Sequence, residues 1–159
     1  MRSFVESMRR AGAALALLLL ALGGCASTPQ ATPQRDAEAK QFISHPGTAA
    51  IYVYRPDFLG AEMDDSTLYV DDRMIGATLP GSFFRIDVQP GAHVVSSSAA
   101  GSTQLKLDTR PDELYFVQLN VSSGSSRLSR VEPEAAKRAI RQCCALMENW
   151  APGQRPLLK

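Results

Sequence analysis

The chain has 159 residues, a formal net charge of +1 and only three cysteines. A near-neutral chain with dispersed basic residues lacks the electrostatic footprint of a nucleic-acid-binding protein. Residues 1–24 carry three arginines and one glutamate, so the chain beyond them has a formal charge of −1. The 135 residues that remain are enough for one domain with its own core and too few for two.

The N-terminus has the order of a secretory signal, in which basic residues precede an apolar run and small residues follow it. Three arginines precede an apolar run of 12 residues, Ala11 to Leu22. As a helix this run spans about 18 Å, whereas a bilayer core about 30 Å thick needs roughly 20 apolar residues. The run therefore predicts a cleaved signal peptide over residues 1–24 rather than a membrane span.

Cys25 follows two glycines at the end of this run, and residues 22–25 resemble the lipobox of bacterial lipoproteins. The resemblance implies that the sulfur of Cys25 takes a diacylglycerol and that cleavage leaves Cys25 as the first residue. Its amine is then acylated as well, with a fatty acid such as palmitate. Several acyl chains anchor a protein firmly where one does not. An ordinary cleaved signal with an incidental cysteine is the alternative reading of this segment.

The residues after the cysteine, Ala26 and Ser27, bear on the destination of the protein. In Gram-negative lipoproteins an aspartate directly after the cysteine signals retention in the inner membrane. Since Ala26 stands there, the resemblance implies an outer-membrane lipoprotein that faces the periplasm.

Residues 25–47 are predicted to form a lipid-anchored tether, because their first part is small, polar and proline-bearing. Within this segment, Arg35 to Ser44 can form a short helix that ends before His45-Pro46-Gly47. A spacer of about 20 residues has a coil span of roughly 25 Å, enough to lift a domain off a membrane surface.

From residue 48 to residue 131 the sequence consists of short alternating runs separated by turns. The runs are rich in β-branched and aromatic residues, which favour strands. They are Ala49 to Arg55, Thr67 to Asp71, Met74 to Ala77, Ser82 to Val88, His93 to Ser97, Thr103 to Leu107, Tyr115 to Val121 and Leu128 to Val131. About seven or eight short strands with frequent turn signals predict a mainly β domain, an antiparallel β-sandwich or barrel. We expect the sandwich.

Residues 132–150 are predicted to form a C-terminal α-helix, with a tail over residues 151–159. Pro133 at the first helical position and flanking glutamates suit a helix N-terminus. Ala136, Ile140, Cys143 and Met147 are spaced as one apolar stripe. The helix is expected to end near Asn149-Trp150 and to dock on its own sheet.

The order of motifs in the middle of the chain resembles a known family. The motifs are Ile51 to Arg55, Tyr69 to Asp72, Ile75-Gly76, Gln89 to His93 and Tyr115 to Val117. Together they resemble bacterial envelope lipoproteins that carry the domain of unknown function 2846, whose β-core is similar to the PEGA module. Asp72 stands where the pattern has glycine, and aspartate tolerates the positive φ of such a turn. The resemblance implies a fold and a location but no activity.

His93 is the only histidine in the predicted β-domain, and Ser96 to Ser98 follow it closely. A catalytic base needs a nucleophile within hydrogen-bond reach. A strand places His93 and Ser97 on one face about 13 Å apart, and the sequence has no Gly-x-Ser-x-Gly elbow. We interpret His93 as a polar residue that closes the Pro-Gly turn, and His45 as a linker residue.

Two other groups of side chains are candidates for ligand binding. Five aspartates could gather at one end of the sandwich and hold Ca²⁺, but their spacing matches no EF-hand loop. They are Asp64, Asp65, Asp71, Asp72 and Asp87. An exposed row of aromatic rings could stack on sugar rings, but a sandwich this small needs most of its aromatics as core. The aromatic set is Tyr52, Tyr54, Tyr69, Phe83, Phe84, Tyr115 and Phe116.

Cys143 and Cys144 are adjacent. Neighbouring Cα atoms lie about 3.8 Å apart, below the usual 4.4–6.8 Å of a disulfide, so we expect no bridge between them within a helix. Cys143 is expected to pack as a small hydrophobe, while Cys144, rotated by about 100°, could form a mixed disulfide or link a dimer.

The sequence therefore predicts a lipid-anchored, non-catalytic interaction or envelope-maintenance module with Cys25 as its one functional residue. We expect no enzymatic activity, cofactor or metal, because the chain lacks a convergent acid, base and nucleophile. The expected partner is an envelope protein; a peptidoglycan-binding module is the alternative, and a hydrolase or metal-dependent enzyme a more distant one.

Overall fold

The computed structural model describes residues 28–57, 66–98, 101–122 and 124–148. The predicted signal peptide, the anchor residue Cys25, Asp64, Asp65 and the tail over residues 151–159 lie outside the described residues. Two helices are described, α1 (Pro33–Ala39) and α2 (Pro133–Cys143). The strands are β1 (Ala49–Arg55), β2 (Ser66–Val70), β3 (Arg73–Thr78), β4 (Ser82–Val88), β5 (Gly91–Ser97), β6 (Leu105–Thr109), β7 (Leu114–Ser122), β8 (Ser125–Arg130) and β9 (Ala145–Leu146).

The strands form two sheets that pack face to face, so the prediction of a mainly β sandwich with a C-terminal helix is confirmed. One sheet has the order β8-β7-β1-β4-β9 and the other β3-β2-β5-β6. The four-stranded sheet is antiparallel throughout. The five-stranded sheet is mixed, because β1 runs parallel to β7 and β4 runs parallel to β9. The expectation of a wholly antiparallel sandwich is corrected at these two pairings.

An inner core fills the space between the sheets. Alternate residues of both sheets point into it, as the period of two along a strand requires. Its members include Ile51, Leu68, Phe84, Ile86, Leu119 and Tyr115. Burial of these apolar side chains supplies the main driving force for the sandwich.

An outer core covers the other face of the five-stranded sheet, where α1 and α2 lie. Tyr52, Phe83 and Phe116 point outward from the sheet and pack beneath Phe42 and Ile140. The rings of Tyr52 and Phe116 have centroids 5.2 Å apart. Because both faces of the sheet are covered, all seven residues of β1 are buried.

The C-terminal helix is shorter than the sequence predicts. α2 begins after the N-cap Glu132, whose side chain accepts a hydrogen bond from the Ala135 amide, and it ends at Cys143. The chain then turns extended at Cys144 and enters β9, which pairs with the start of β4. Met147, expected on the helix stripe, is buried in the inner core instead, because strand pairing takes the chain off the helix.

Cys143 and Cys144 form a disulfide with a Cα–Cα separation of 3.7 Å, which corrects the expectation of two unbridged thiols. That expectation assumed that both cysteines lie within a helix. Here Cys143 ends the helix while Cys144 has φ −126° and ψ 141°, so the two residues differ in backbone conformation and their sulfurs can meet.

The segment expected to be a tether is packed onto the sandwich from residue 28 onward. Residues 28–31, which we call the N-terminal arm, run antiparallel to the chain around β9. The Ala31 amide donates to the Leu146 carbonyl (2.8 Å), and the Glu148 amide donates to the Pro29 carbonyl (2.8 Å). A short helix exists but lies at Pro33–Ala39 rather than over residues 35–44, because Thr32 caps it and Pro33 occupies its first turn.

α1 is held against the sheet by polar contacts as well as by burial of Ala39. The Tyr52 hydroxyl donates to the Ala39 carbonyl (2.9 Å), and Asp36 accepts a hydrogen bond from the Leu146 amide (2.8 Å). Arg35 and Glu148 form an ion pair. In the part of the chain that the structure describes, no helix is long and apolar enough to cross a membrane.

Candidate functional site

His93 lies at a junction between two turns. Asp71 and Asp72, with φ of 51° and 61°, form the turn between β2 and β3. The Asp71 carboxylate contacts the Nδ1 of His93 (2.6 Å) and accepts a hydrogen bond from the Val94 amide (2.8 Å). The Nε2 of His93 lies 2.7 Å from the Gln89 carbonyl. His93 thus ties the β2–β3 turn to the β4–β5 turn.

The geometry around His93 leaves no ring nitrogen for a substrate. His93 is 3% exposed, and both of its ring nitrogens already face oxygen atoms of the protein. The hydroxyl of Ser97 is also occupied, since it hydrogen-bonds to Ser126 in the second sheet. The interpretation of His93 as a turn-closing residue agrees with these contacts. Its partner Asp71 is predicted to end the strand from Thr67 and is considered as a Ca²⁺ ligand, whereas in the structure it lies in the turn after β2.

The aspartates considered as Ca²⁺ ligands do not converge where the structure describes them. Asp71 and Asp72 occupy the β2–β3 turn, whereas Asp87 lies on β4 beside Arg85 (3.2 Å) and 3.8 Å from His45. Among the described residues, no group of three or more histidine, cysteine, aspartate or glutamate side chains is placed to hold a metal ion.

The aromatic set is mainly core. Tyr69 is partly exposed, and the other six members are buried. Burial raises the pKa of Tyr52 to about 12, because desolvation penalises the charged tyrosinate. The described aromatic rings therefore do not form the exposed row that stacking on sugars requires.

A charged cleft lies where β6, β7 and β8 meet, and sequence reasoning missed it. The cleft has a volume of about 390 Å³. Its charged lining residues are Lys106, Asp108, Arg110, Glu113 and Arg130. The only sequence signal was the turn at residues 110–113, which separates two strands and gives no hint that β6 and β8 come from different sheets.

The wall of the cleft is organised around Tyr115 on β7. Its hydroxyl donates to Glu113 (2.6 Å) and accepts a hydrogen bond from the Arg110 amide (3.0 Å). The guanidinium of Arg130 lies 5.3 Å from the centroid of the Tyr115 ring. Burial, together with the hydrogen bond to Glu113, raises the pKa of Tyr115. The Tyr115 side chain is thus neutral, and its hydrogen bonds hold the wall of the cleft in place.

The turn that forms one rim of the cleft is fixed by its backbone. Asp112 has a φ of 62°, its amide donates to the Thr48 carbonyl (2.7 Å), and its carboxylate accepts a hydrogen bond from the Gly47 amide (2.8 Å). The rim therefore needs little rearrangement to present Arg110.

The charges of the cleft are suited to binding rather than to internal pairing. Within the described ranges, Lys106 and Arg110 form no ion pair, and both are exposed. With Arg130 they provide three cations against the two carboxylates of Asp108 and Glu113. The arrangement can bind a polar segment that carries at least one carboxylate.

Comparison with known proteins places this architecture in a family. The model of a family described as "Protein of unknown function (DUF2846)" matches residues 45–133, which span β1 to β8. An uncharacterized protein of Haemophilus influenzae (strain ATCC 51907 / DSM 11121 / KW20 / Rd) is 32% identical over 143 residues, covering 86% of this chain and 84% of the relative. The chain belongs to the DUF2846 family.

Proposed function

We propose that this chain is an outer-membrane lipoprotein that faces the periplasm and acts as a non-catalytic interaction module. Cys25 carries the lipid anchor, and the charged cleft binds a segment of an envelope protein. The observation that carries the binding role is the cleft itself, in which cations that form no ion pair among the described residues lie around the buried Tyr115.

The anchor is supported by the sequence around Cys25. Two glycines and the cysteine follow an apolar run of 12 residues. This run is too short for a membrane span and typical of a signal h-region. The mass of the mature N-terminus tests this part: we expect a diacylglycerol and a further acyl chain on Cys25. Cys25→Ala is expected to accumulate as an uncleaved or mislocalised precursor, and normal maturation of that variant would refute the anchor.

The protein partner is supported by the character of the cleft. Its lining is mainly charged and lies beside the edge strand β6, where a partner chain can approach both side chains and backbone. A sugar ligand would need exposed aromatic faces, whereas the aromatic residue that lines the cleft, Tyr115, is buried and has the Arg130 guanidinium over its ring.

Crosslinking in cells followed by purification of the native lipoprotein tests the binding role. Arg110→Glu reverses one charge of the cleft, and Arg138→Glu makes the same change on the exposed face of α2. We expect one discrete protein to be captured by the wild type and by Arg138→Glu but not by Arg110→Glu. Equal capture by both variants would refute the cleft as the site, and muropeptides without a protein would favour a peptidoglycan-binding module instead.

A further inference from the structure

We propose that the anchored domain lies directly against the membrane, with the N-terminal arm and β3 facing the bilayer and the charged cleft facing away from it. This inference rests on the proposed lipidation of Cys25. It replaces the expectation of a long tether with a fixed orientation, and it names a lipid surface as the occupant of one edge of the sandwich.

The first step is the reach of the chain between the anchor and the domain. Only Ala26 and Ser27 separate Cys25 from Thr28. Three consecutive Cα–Cα steps span at most about 11 Å, whatever conformation they take. Thr28 therefore cannot lie farther than this from the backbone of the acylated residue.

The second step is that Thr28 and its neighbours are fixed to the domain. The Thr28 hydroxyl accepts a hydrogen bond from the Ala77 amide of β3 (2.7 Å), and the side chain packs against Gly76. The next residues of the arm bond to the chain around β9 through Pro29 and Ala31. The arm thus contacts both sheets at one edge of the sandwich, and Thr28 lies at that edge.

The third step is the order of strands, which defines two opposite edges. The arm edge consists of residues 28–31, β9 and β3, and the cleft edge consists of β6 and β8. Along the five-stranded sheet the arm is followed by β9, β4, β1, β7 and β8. Five strand spacings of about 4.8 Å separate the two edges by about 24 Å. The backbone connection of at most about 11 Å is shorter than this separation, so the anchor holds the arm edge, not the cleft edge, next to the bilayer.

The arm edge also carries an apolar side chain that contact with lipid would cover. Met74 on β3 is 63% exposed and lies two residues from Gly76, against which Thr28 packs. A single exposed methionine is ordinary on a protein surface. At this position the short connection to the acyl chains brings it to the membrane interface, whereas the charges of the cleft edge stay in water.

Fluorescence quenching in vesicles tests the orientation. The purified lipoprotein is reconstituted into vesicles of phosphatidylethanolamine and phosphatidylglycerol that contain lipids with a nitroxide-labelled headgroup. Met74→Cys and Arg127→Cys place one fluorophore on the arm edge and one on the exposed side of β8. Cys143 and Cys144 are disulfide-bonded and do not react without a reductant. We expect quenching at position 74 to exceed quenching at position 127 several-fold.

A matched variant tests whether the orientation comes from the short connection to the anchor or from an affinity of the arm edge for lipid. Twenty glycine and serine residues inserted between Ser27 and Thr28 extend the connection by roughly 25 Å of coil span without changing the domain. We expect the insertion to remove the difference between the two positions. A difference that persists with the insertion would overturn the argument from reach, and equal quenching without the insertion would overturn the orientation.

Mass spectrometry of the same preparations distinguishes the two proposals. Acyl chains on Cys25 together with equal quenching would refute the orientation and leave the lipoprotein proposal standing. A mature protein without acyl chains on Cys25 would refute the anchor and, with it, the orientation that rests on it.

Discussion

Gly76→Ala tests the docking of the N-terminal arm. A Cβ at this position would lie 2.9 Å from the Oγ1 of Thr28 and 3.0 Å from its Cγ2, with the ring of Phe84 also at 3.0 Å. Real Cβ contacts are longer, so Thr28 or Phe84 has to move. Overpacking of this kind costs about 1–3 kcal/mol. We expect Gly76→Ala to lower the free energy of unfolding by that amount.

A double-mutant cycle isolates the contribution of the arm. Thr28→Ala removes both close atoms and deprives the Ala77 amide of its acceptor, at a cost of about 1 kcal/mol. In the Thr28→Ala background, Gly76→Ala clashes only with Phe84. Its cost should therefore fall by about 0.5 kcal/mol or more, an interaction energy typical of residues in contact.

The assay is urea unfolding, followed by far-UV circular dichroism, of a form that begins at Ala26. Thr103→Ala is the matched control, because its hydroxyl also accepts a strand amide, that of Leu128 (2.9 Å), but beside β8 on the cleft edge. Gly76→Ala and Thr103→Ala should add to within about 0.5 kcal/mol. If Gly76→Ala costs the same with and without Thr28→Ala, the arm does not pack on β3 and the reasoning is wrong.

Three other outcomes follow from buried groups. Burial keeps Tyr52 neutral to about pH 12 in the folded protein, whereas the unfolded chain ionises it near the ordinary pKa of 10.0. The free energy of unfolding should therefore fall by about 3 kcal/mol between pH 10 and 12. In urea titrations, Tyr52→Phe should reduce this loss. His93→Ala should cost about 2–4 kcal/mol, and less in an Asp71→Ala background, because it breaks a largely buried pair. An alkylating reagent should add two groups to Cys143 and Cys144, as read by intact mass, only after the disulfide is reduced. Reduction should lower the free energy of unfolding by about 1 kcal/mol, because so short a loop constrains the unfolded chain little.

The strands could be predicted because their burial follows local periodicity. β1 and β4 have the bounds that the sequence indicates, Ala49–Arg55 and Ser82–Val88. In β4, Phe84, Ile86 and Val88 point into the inner core, as their alternation with Arg85 and Asp87 predicts. The turn chemistry was informative at Asp72, which adopts the positive φ expected of it (61°), whereas Asp71, predicted to end the strand, also lies in the turn.

The pairing of distant strands could not be predicted, because it depends on which backbones meet rather than on local pattern. β9 has two residues, Ala145 and Leu146, which lie within the span predicted as helix but pair with β4 in space. The same strand draws the chain out of the helix at Cys144, so the disulfide was missed for the same reason. The charged cleft also arises from distant pairing, because Lys106 and Arg130 belong to different sheets.

The N-terminal arm shows why composition alone did not predict that residues 28–31 pack on the domain. Its residues are small or polar, a composition typical of a flexible spacer. The arm is held mainly through backbone groups, with Pro29 accepting and Ala31 donating, and backbone hydrogen bonds require no particular side chains. A spacer and an edge segment can therefore share one composition, and only the partner strands decide between them. Because β9 and β3 offer those partners, residues from Thr28 onward pack on the domain, and the proposed anchor at Cys25 would hold the domain at the membrane rather than at the end of a long tether.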